Sequence, residues 1–137
     1  MRVRDLMTPF PVTVDPATPV LEARRLMDER RIRHLLVTEE HRLVGIVTDR
    51  DIRLNLPSPA TTLSVWELNH LLAQLTVGEV MTKKVIVADP DREVSEVAAI
   101  LLREKIGALP VVYGGQLVGI VTESDFLRTF LEAPARV

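Results

Sequence analysis

The chain has 137 residues, 47% of them hydrophobic and 26% charged, with a net charge of -2. That length suits one domain-sized body burying roughly two-thirds of its unfolded surface, and the charge supplies no global field to draw nucleic acid or an anionic membrane. There is no cysteine, which excludes disulfides, thiolate metal sites and a cysteine nucleophile. The N-terminal MRVRDLMTPF lacks a secretory apolar run, and no stretch reaches the roughly 18 apolar residues that span a bilayer, so a soluble cytoplasmic protein is expected.

The first predicted element is a short strand at VTV, closed by Asp15-Pro16 as a turn. A helix follows, with Thr18 as expected N-cap, Pro19 at its first position, and Val20, Ala23 and Met27 as its apolar stripe. HLLV and LVGIV then read as two strands joined by the polar TEEH, and a second helix begins near Asp51. A Pro/Ser/Thr linker comes next. Ser64 and Glu67 fit a capping box opening a helix whose apolar side is Val65, Leu68, Leu71, Leu72 and Leu75. Trp66, the only tryptophan, is expected to pack there.

The same grammar then runs again. VIV and Asp89-Pro90 precede a helix with Val94, Val97, Ala98, Leu101 and Leu102 at helical spacing. LPVV and LVGIV form a hairpin around Gly114-Gly115, and a last helix begins near Ser124. A shift of 74 residues, which carries Asp51 onto Asp125, aligns 3–54 with 77–128 without a gap. The expected class is α/β (α+β), with the order β-α-β-β-α written twice. Each copy would expose a sheet face too large for about 50 residues to cover, so the copies should pack on one another. The expected divisions are repeat 1 at 1–56, a linker with a short helix at 57–76, repeat 2 at 77–132 and a tail at 133–137.

The chemistry concentrates where LVGIVTDRD and LVGIVTESD keep Thr48 and Asp51 in step with Thr122 and Asp125. A strand ending in Thr-x-x-Asp and running into a helix gathers a hydroxyl, a carboxylate and free N–H groups. An ionised aspartate only accepts hydrogen bonds, which suits ribose hydroxyls; the threonine and the helix N-terminus suit phosphate. The preceding glycine admits a close chain segment or a flat base. The same residues equally satisfy an ordinary helix-capping pattern, and both roles are compatible. Arg24, Arg25, Arg30, Arg31 and Arg33 sit among Glu22, Asp28 and Glu29 and read as a solvated helix face, except at the Arg33-His34 end. His41 and His70 have no partner at metal spacing, and the glycine-containing strands lack the second glycine and lysine of a P-loop.

The doubled Gly-x-x-Thr-x-x-Asp signature, the MT pairs, the β-α-β-β-α order and IGALPVV together resemble a tandem pair of CBS domains, a Bateman module. IRHLLV, GIVTDRDI, the Ser-Pro linker and DFLRTF are more narrowly similar to acetoin-utilisation-type CBS proteins, which often carry a further C-terminal regulatory domain; with the chain ending at Val137, that domain would be absent or cut off. The resemblance implies two repeats about a pseudo-twofold axis, a flat homodimer through the repeat helices, and regulatory binding of an adenosine-containing nucleotide without catalysis, cofactor or metal. Signalling would pass by conformational change to a partner, a regulated enzyme or a fused domain. It also implies a principal cleft built from Thr48, Arg50, Asp51, Arg33, His34, Thr82, Ile86, Ile106, Gly107, Ala108 and Pro110. A weaker second cleft would use Thr8, Val12, Ile32, His34, Leu36, Thr122 and Asp125. Two alternatives compete: nucleic-acid binding through the arginine cluster, against which the net charge and few aromatics count, and a hydrolase using Asp51 and Asp125, for which no nucleophile or metal cluster is at hand.

Overall fold

The computed structural model describes residues 1–57 and 62–132; the predicted tail at 133–137 and part of the Ser-Pro linker lie outside them. In chain order the elements are α1 (Val3–Leu6), β1 (Thr8–Pro9), β2 (Thr13–Val14), α2 (Val20–Arg30), β3 (His34–Glu39), β4 (Arg42–Thr48), α3 (Asp49–Leu54) and α4 (Val65–Gln74). They continue with α5 (Val77–Val80), α6 (Val94–Glu104), β5 (Ala108–Tyr113), β6 (Gln116–Thr122) and α7 (Glu123–Glu132). The protein is a mixed α/β chain with two sheets, divided into two compact units.

One unit holds Val12–Lys84. Its sheet has the order β2-β3-β4, with β2 parallel to β3 and β3 antiparallel to β4. The predicted stripe of α2 is buried as Val20, Ala23 and Met27 against Leu35, Val37 and Val47 of the sheet and Ile52 of α3. Thr18 is not the cap. Pro19 holds that position, and the Thr18 hydroxyl accepts from the Asp15 N–H at 3.3 Å, closing the Asp-Pro turn instead. Ser64 does cap α4, accepting from Glu67 N at 3.2 Å. Trp66 does not pack as expected: it is 85% exposed, because it projects away from the half-buried Leu68, Leu72 and Leu75.

The other unit holds Met1–Pro11 with Val85–Val137, so compact units and sequence repeats divide the chain differently. The N-terminal segment is tied to the second repeat: Val3 N donates to Arg92 O and Arg4 N to Pro90 O, each at 2.9 Å, and β1 pairs antiparallel with β6 in a sheet of order β1-β6-β5. Val97, Ile100 and Leu101 of α6 bury against Leu109, Val111 and Val121. Ile100 thus joins the stripe, whereas Leu102 points outward.

No strand forms at VIV, and the residue after it, Ala88, makes a single parallel bridge with Val111. In the first repeat Leu36 N donates to Val12 O at 3.4 Å. The matching donor in the second repeat would be Pro110, which has no N–H, so the ladder ends there. Both hairpins turn on two left-handed residues, Glu40-His41 and Gly114-Gly115, the backbone that a twisted hairpin needs.

Candidate functional site

In the Val12–Lys84 unit, β4 runs directly into α3 at Thr48, the N-cap. Asp51 N donates to Thr48 Oγ1 at 3.1 Å, and Thr48 N donates to Asp51 Oδ2 at 3.0 Å. This reciprocal box satisfies two helix-end donors and fixes the carboxylate at the strand–helix junction. Among the described residues, that Thr48 N–H is the only donor to the Asp51 carboxylate, which is half-buried. Among the described residues, no donor reaches its Oδ1.

The neighbours arrive through the sheet. His34 is in register with Thr48, and Arg33 O accepts from Asp49 N at 3.0 Å, which holds the start of β3 beside the start of α3. On the other side of β4, Thr82 and Ile46 exchange backbone hydrogen bonds of 2.9 and 3.0 Å. Gly45 makes that approach possible: a Cβ there would lie 2.7 Å from Met81 Sδ and 2.9 Å from Thr82 O. The close chain segment expected at the signature glycine is therefore the Met-Thr pair. Thr48, Arg50, Asp51, Arg33, His34 and Thr82 share this unit, together with Val12, Ile32 and Leu36.

The other unit repeats the junction with different bonding. Thr122 N donates to Asp125 Oδ2 at 2.8 Å, and the Thr122 hydroxyl donates to the same oxygen at 3.2 Å. Oδ1 accepts from Arg128 Nη1 at 3.1 Å and from the Thr8 hydroxyl at 3.4 Å. Asp125 is only 2% exposed and is neutralised by Arg128 within its own helix. Gly119 lies under Met7 as Gly45 lies under Met81. Ile86, Ile106, Gly107, Ala108 and Pro110 belong to this unit with Thr8, Thr122 and Asp125. Of these, Ala108 and Pro110 are buried, Ile106 is half-buried and Ile86 is exposed.

Among the described residues the two aspartates are thus bonded unequally: the Asp51 carboxylate accepts one hydrogen bond and the Asp125 carboxylate four. Sequence comparison of the repeats carried a signal for this. Arg128 sits three residues after Asp125, at helical contact spacing, whereas the matching residue after Asp51 is Leu54. Thr8 gave no such signal, since 117 residues separate it from Asp125.

Among the described residues, no group of three or more His, Asp or Glu side chains could hold a metal ion, and no helix is long and apolar enough to cross a membrane.

The family model described as CBS domain matches the chain twice, at residues 3–58 and 77–132. Solved structures agree. That of the acetoin utilization protein AcuB from Vibrio cholerae superposes with a TM-score of 0.82 at 32% identity, covering 96% of this chain and 90% of that one. CBSX2 in complex with AMP gives 0.78 at 32% identity, with 96% of both chains covered. The CBS domain pair of protein MJ0100 in complex with 5-methylthioadenosine and S-adenosyl-L-methionine gives 0.77 at 30% identity, with 95% of both covered. By contrast, the chain spans only 23%, 43% and 46% of the length of the first three curated relatives that it matches.

Proposed function

This chain belongs to the CBS domain family, as a pair of such domains, and on that premise we propose that it is a regulatory module for an adenosine-containing nucleotide of the AMP, ADP or ATP class. It performs no chemistry; occupancy shifts a conformational equilibrium that a partner or fused domain reads. The Asp51 half-site is the principal one, with Asp51 accepting from ribose hydroxyls and Thr48, Arg50, Arg33 and His34 facing the phosphates. Thr82 completes it within the same unit.

One observation carries this reading: among the described residues no donor reaches Oδ1 of Asp51, whereas Asp125 accepts from Thr122, Arg128 and Thr8. Ligand hydroxyls at Asp125 would have to displace a charged, intrachain donor, and among the described residues Asp51 has no such donor. The half-site of Thr8, Thr122 and Asp125 is accordingly weak or empty. The relatives solved with AMP and with S-adenosyl-L-methionine support the adenosine class. Calorimetric titration with AMP and with adenine tests the reading, since Thr and Asp address sugar and phosphate. AMP should bind much more tightly than adenine; equal affinities would contradict the assignment.

We also propose that the chain acts as a homodimer. Leu127, Phe130 and Leu131 line one face of α7, and with Leu102 of α6 they are 64% to 81% exposed. Such a face suits a second copy of itself, because an apolar stripe is self-complementary while the matching first-repeat positions include the charged Asp28 and Arg53.

A further inference from the structure

A cavity of about 450 Å³ opens between the C-terminal half of α2 and the start of α3, wholly inside the Val12–Lys84 unit. Its floor is apolar, formed by Met27, Ile32 and Ile52. Four arginines, Arg24, Arg31, Arg33 and Arg53, stand around it with two aspartates, Asp28 and Asp49, leaving a net charge of about +2 at the rim. Neither Thr48 nor Asp51 lines it. On α3 it takes Asp49 and Arg53, one helical turn apart, while Asp51 projects from another face.

The duplication supplies an internal control on which of these charges the fold requires. Arg31 has a structural counterpart: it closes α2 in the left-handed conformation, as Lys105 closes α6. Asp49 corresponds to Glu123. Arg24, Arg33 and Arg53 have no such counterpart, because the second repeat places Ala98, Gly107 and Leu127 there. The same fold is built without them. Among the described residues, Arg24, Arg31 and Arg33 form no ion pair, and Arg53 approaches Asp49 only to 3.7 Å across an exposed surface. Four guanidinium groups against two carboxylates around a cavity of small-molecule size leave an excess of positive charge that is suited to an oxyanion.

We propose that this cavity is a second ligand site, selective for a phosphate dianion, either free or carried on a small organic body that rests on the Met27–Ile32–Ile52 floor. Arg24 and Arg53 grip the phosphate from the two helices, and Arg31 adds charge at the rim. The site does not depend on the nucleotide reading. A ligand there bridges α2 and α3 within one unit.

Titration calorimetry at low ionic strength, with sodium pyrophosphate and separately with glycerol 3-phosphate, tests the site. Both probes should bind the full chain, and preference for the ester would identify an organic phosphate as the ligand while preference for pyrophosphate would identify the inorganic anion. The double variant Arg24→Ala/Arg53→Gln should weaken binding tenfold or more; both side chains are exposed and the second repeat folds with Ala98 in place of Arg24, so the variant retains its fold. Asp51→Ala should change phosphate binding less than twofold, and Arg24→Ala/Arg53→Gln should leave direct AMP binding in place. The proposal is overturned if neither probe binds, if the double variant binds as well as the parent chain, or if Asp51→Ala abolishes phosphate binding. It is equally overturned if Arg25→Ala/Arg30→Ala, which changes arginines outside the cavity, weakens binding as much, since the effect would then be diffuse charge.

Discussion

At the scale of single residues, the duplicated Gly-x-x-Thr-x-x-Asp line separates into parts with different duties. Gly45 and Gly119 serve the fold, each lying beneath the methionine of a Met-Thr pair. Gly45→Ala would drive a methyl group against Met81 Sδ and the Thr82 carbonyl, and overpacking of this kind costs about 1–3 kcal/mol. Thermal or urea denaturation should record that loss; an unchanged midpoint would show that the Met-Thr segment gives way freely. Thr48 and Asp51 could be read from the sequence as cap and as ligand group together, and the structure bears out the cap. The resemblance ranked the Asp51 cleft above the Asp125 cleft, but how each carboxylate is bonded was not legible. That depends on Arg128, one turn along α7, and on Thr8, brought in by a segment from the far end of the chain. Local spacing could expose the first of these and no local pattern could expose the second.

The secondary-structure elements were legible wherever period and turn chemistry agreed. Ser64 caps α4 as its capping box predicted, and Ser64→Ala should cost about 1 kcal/mol of helix stability, visible as faster amide exchange in α4 with little change elsewhere. Loss of protection in the core strands as well would show that α4 is integral to its unit. The turn at Gly114-Gly115 has both residues at positive φ and nothing within 4 Å of a Cβ placed on Gly115. Gly115→Ala therefore isolates backbone strain from crowding, and a denaturation midpoint shift equivalent to about 1–2 kcal/mol is expected. No shift would mean that the turn relaxes to another type. The elements that escaped the sequence reading were those decided outside their own residues. α1 and α5 are single turns with no period to detect, and the strand expected at VIV was lost through a proline on its partner strand. Trp66 projects outward because only part of the α4 stripe has the unit's core to pack against.

On the scale of the whole molecule, the repeat fixed the class, the family and the two sheets, because 74-residue periodicity is a global property that no single element can mimic. The exchange of N-terminal segments was not legible: residues 1–11 belong to the second repeat's unit, and only tertiary pairing of β1 with β6 reveals it. The exposed face of α7 makes association a property of the whole chain. Light scattering at micromolar concentration should give a dimer, and Leu127→Glu with Phe130→Glu should give a monomer that still binds AMP. A parent chain that is monomeric at that concentration would remove the dimer from the account.

The central claim is that the two aspartates, identical in motif, are unequal in function, and titrating AMP into Asp51→Ala and Asp125→Ala tests it most directly. Hydrogen bonds to a charged group contribute roughly 1.5–3 kcal/mol, so Asp51→Ala should weaken AMP binding about tenfold or more. Asp125→Ala should lower stability, because Arg128 loses its buried partner, yet leave AMP affinity within about twofold once measured well below the melting temperature. Loss of AMP binding in Asp125→Ala with retention in Asp51→Ala would contradict the account.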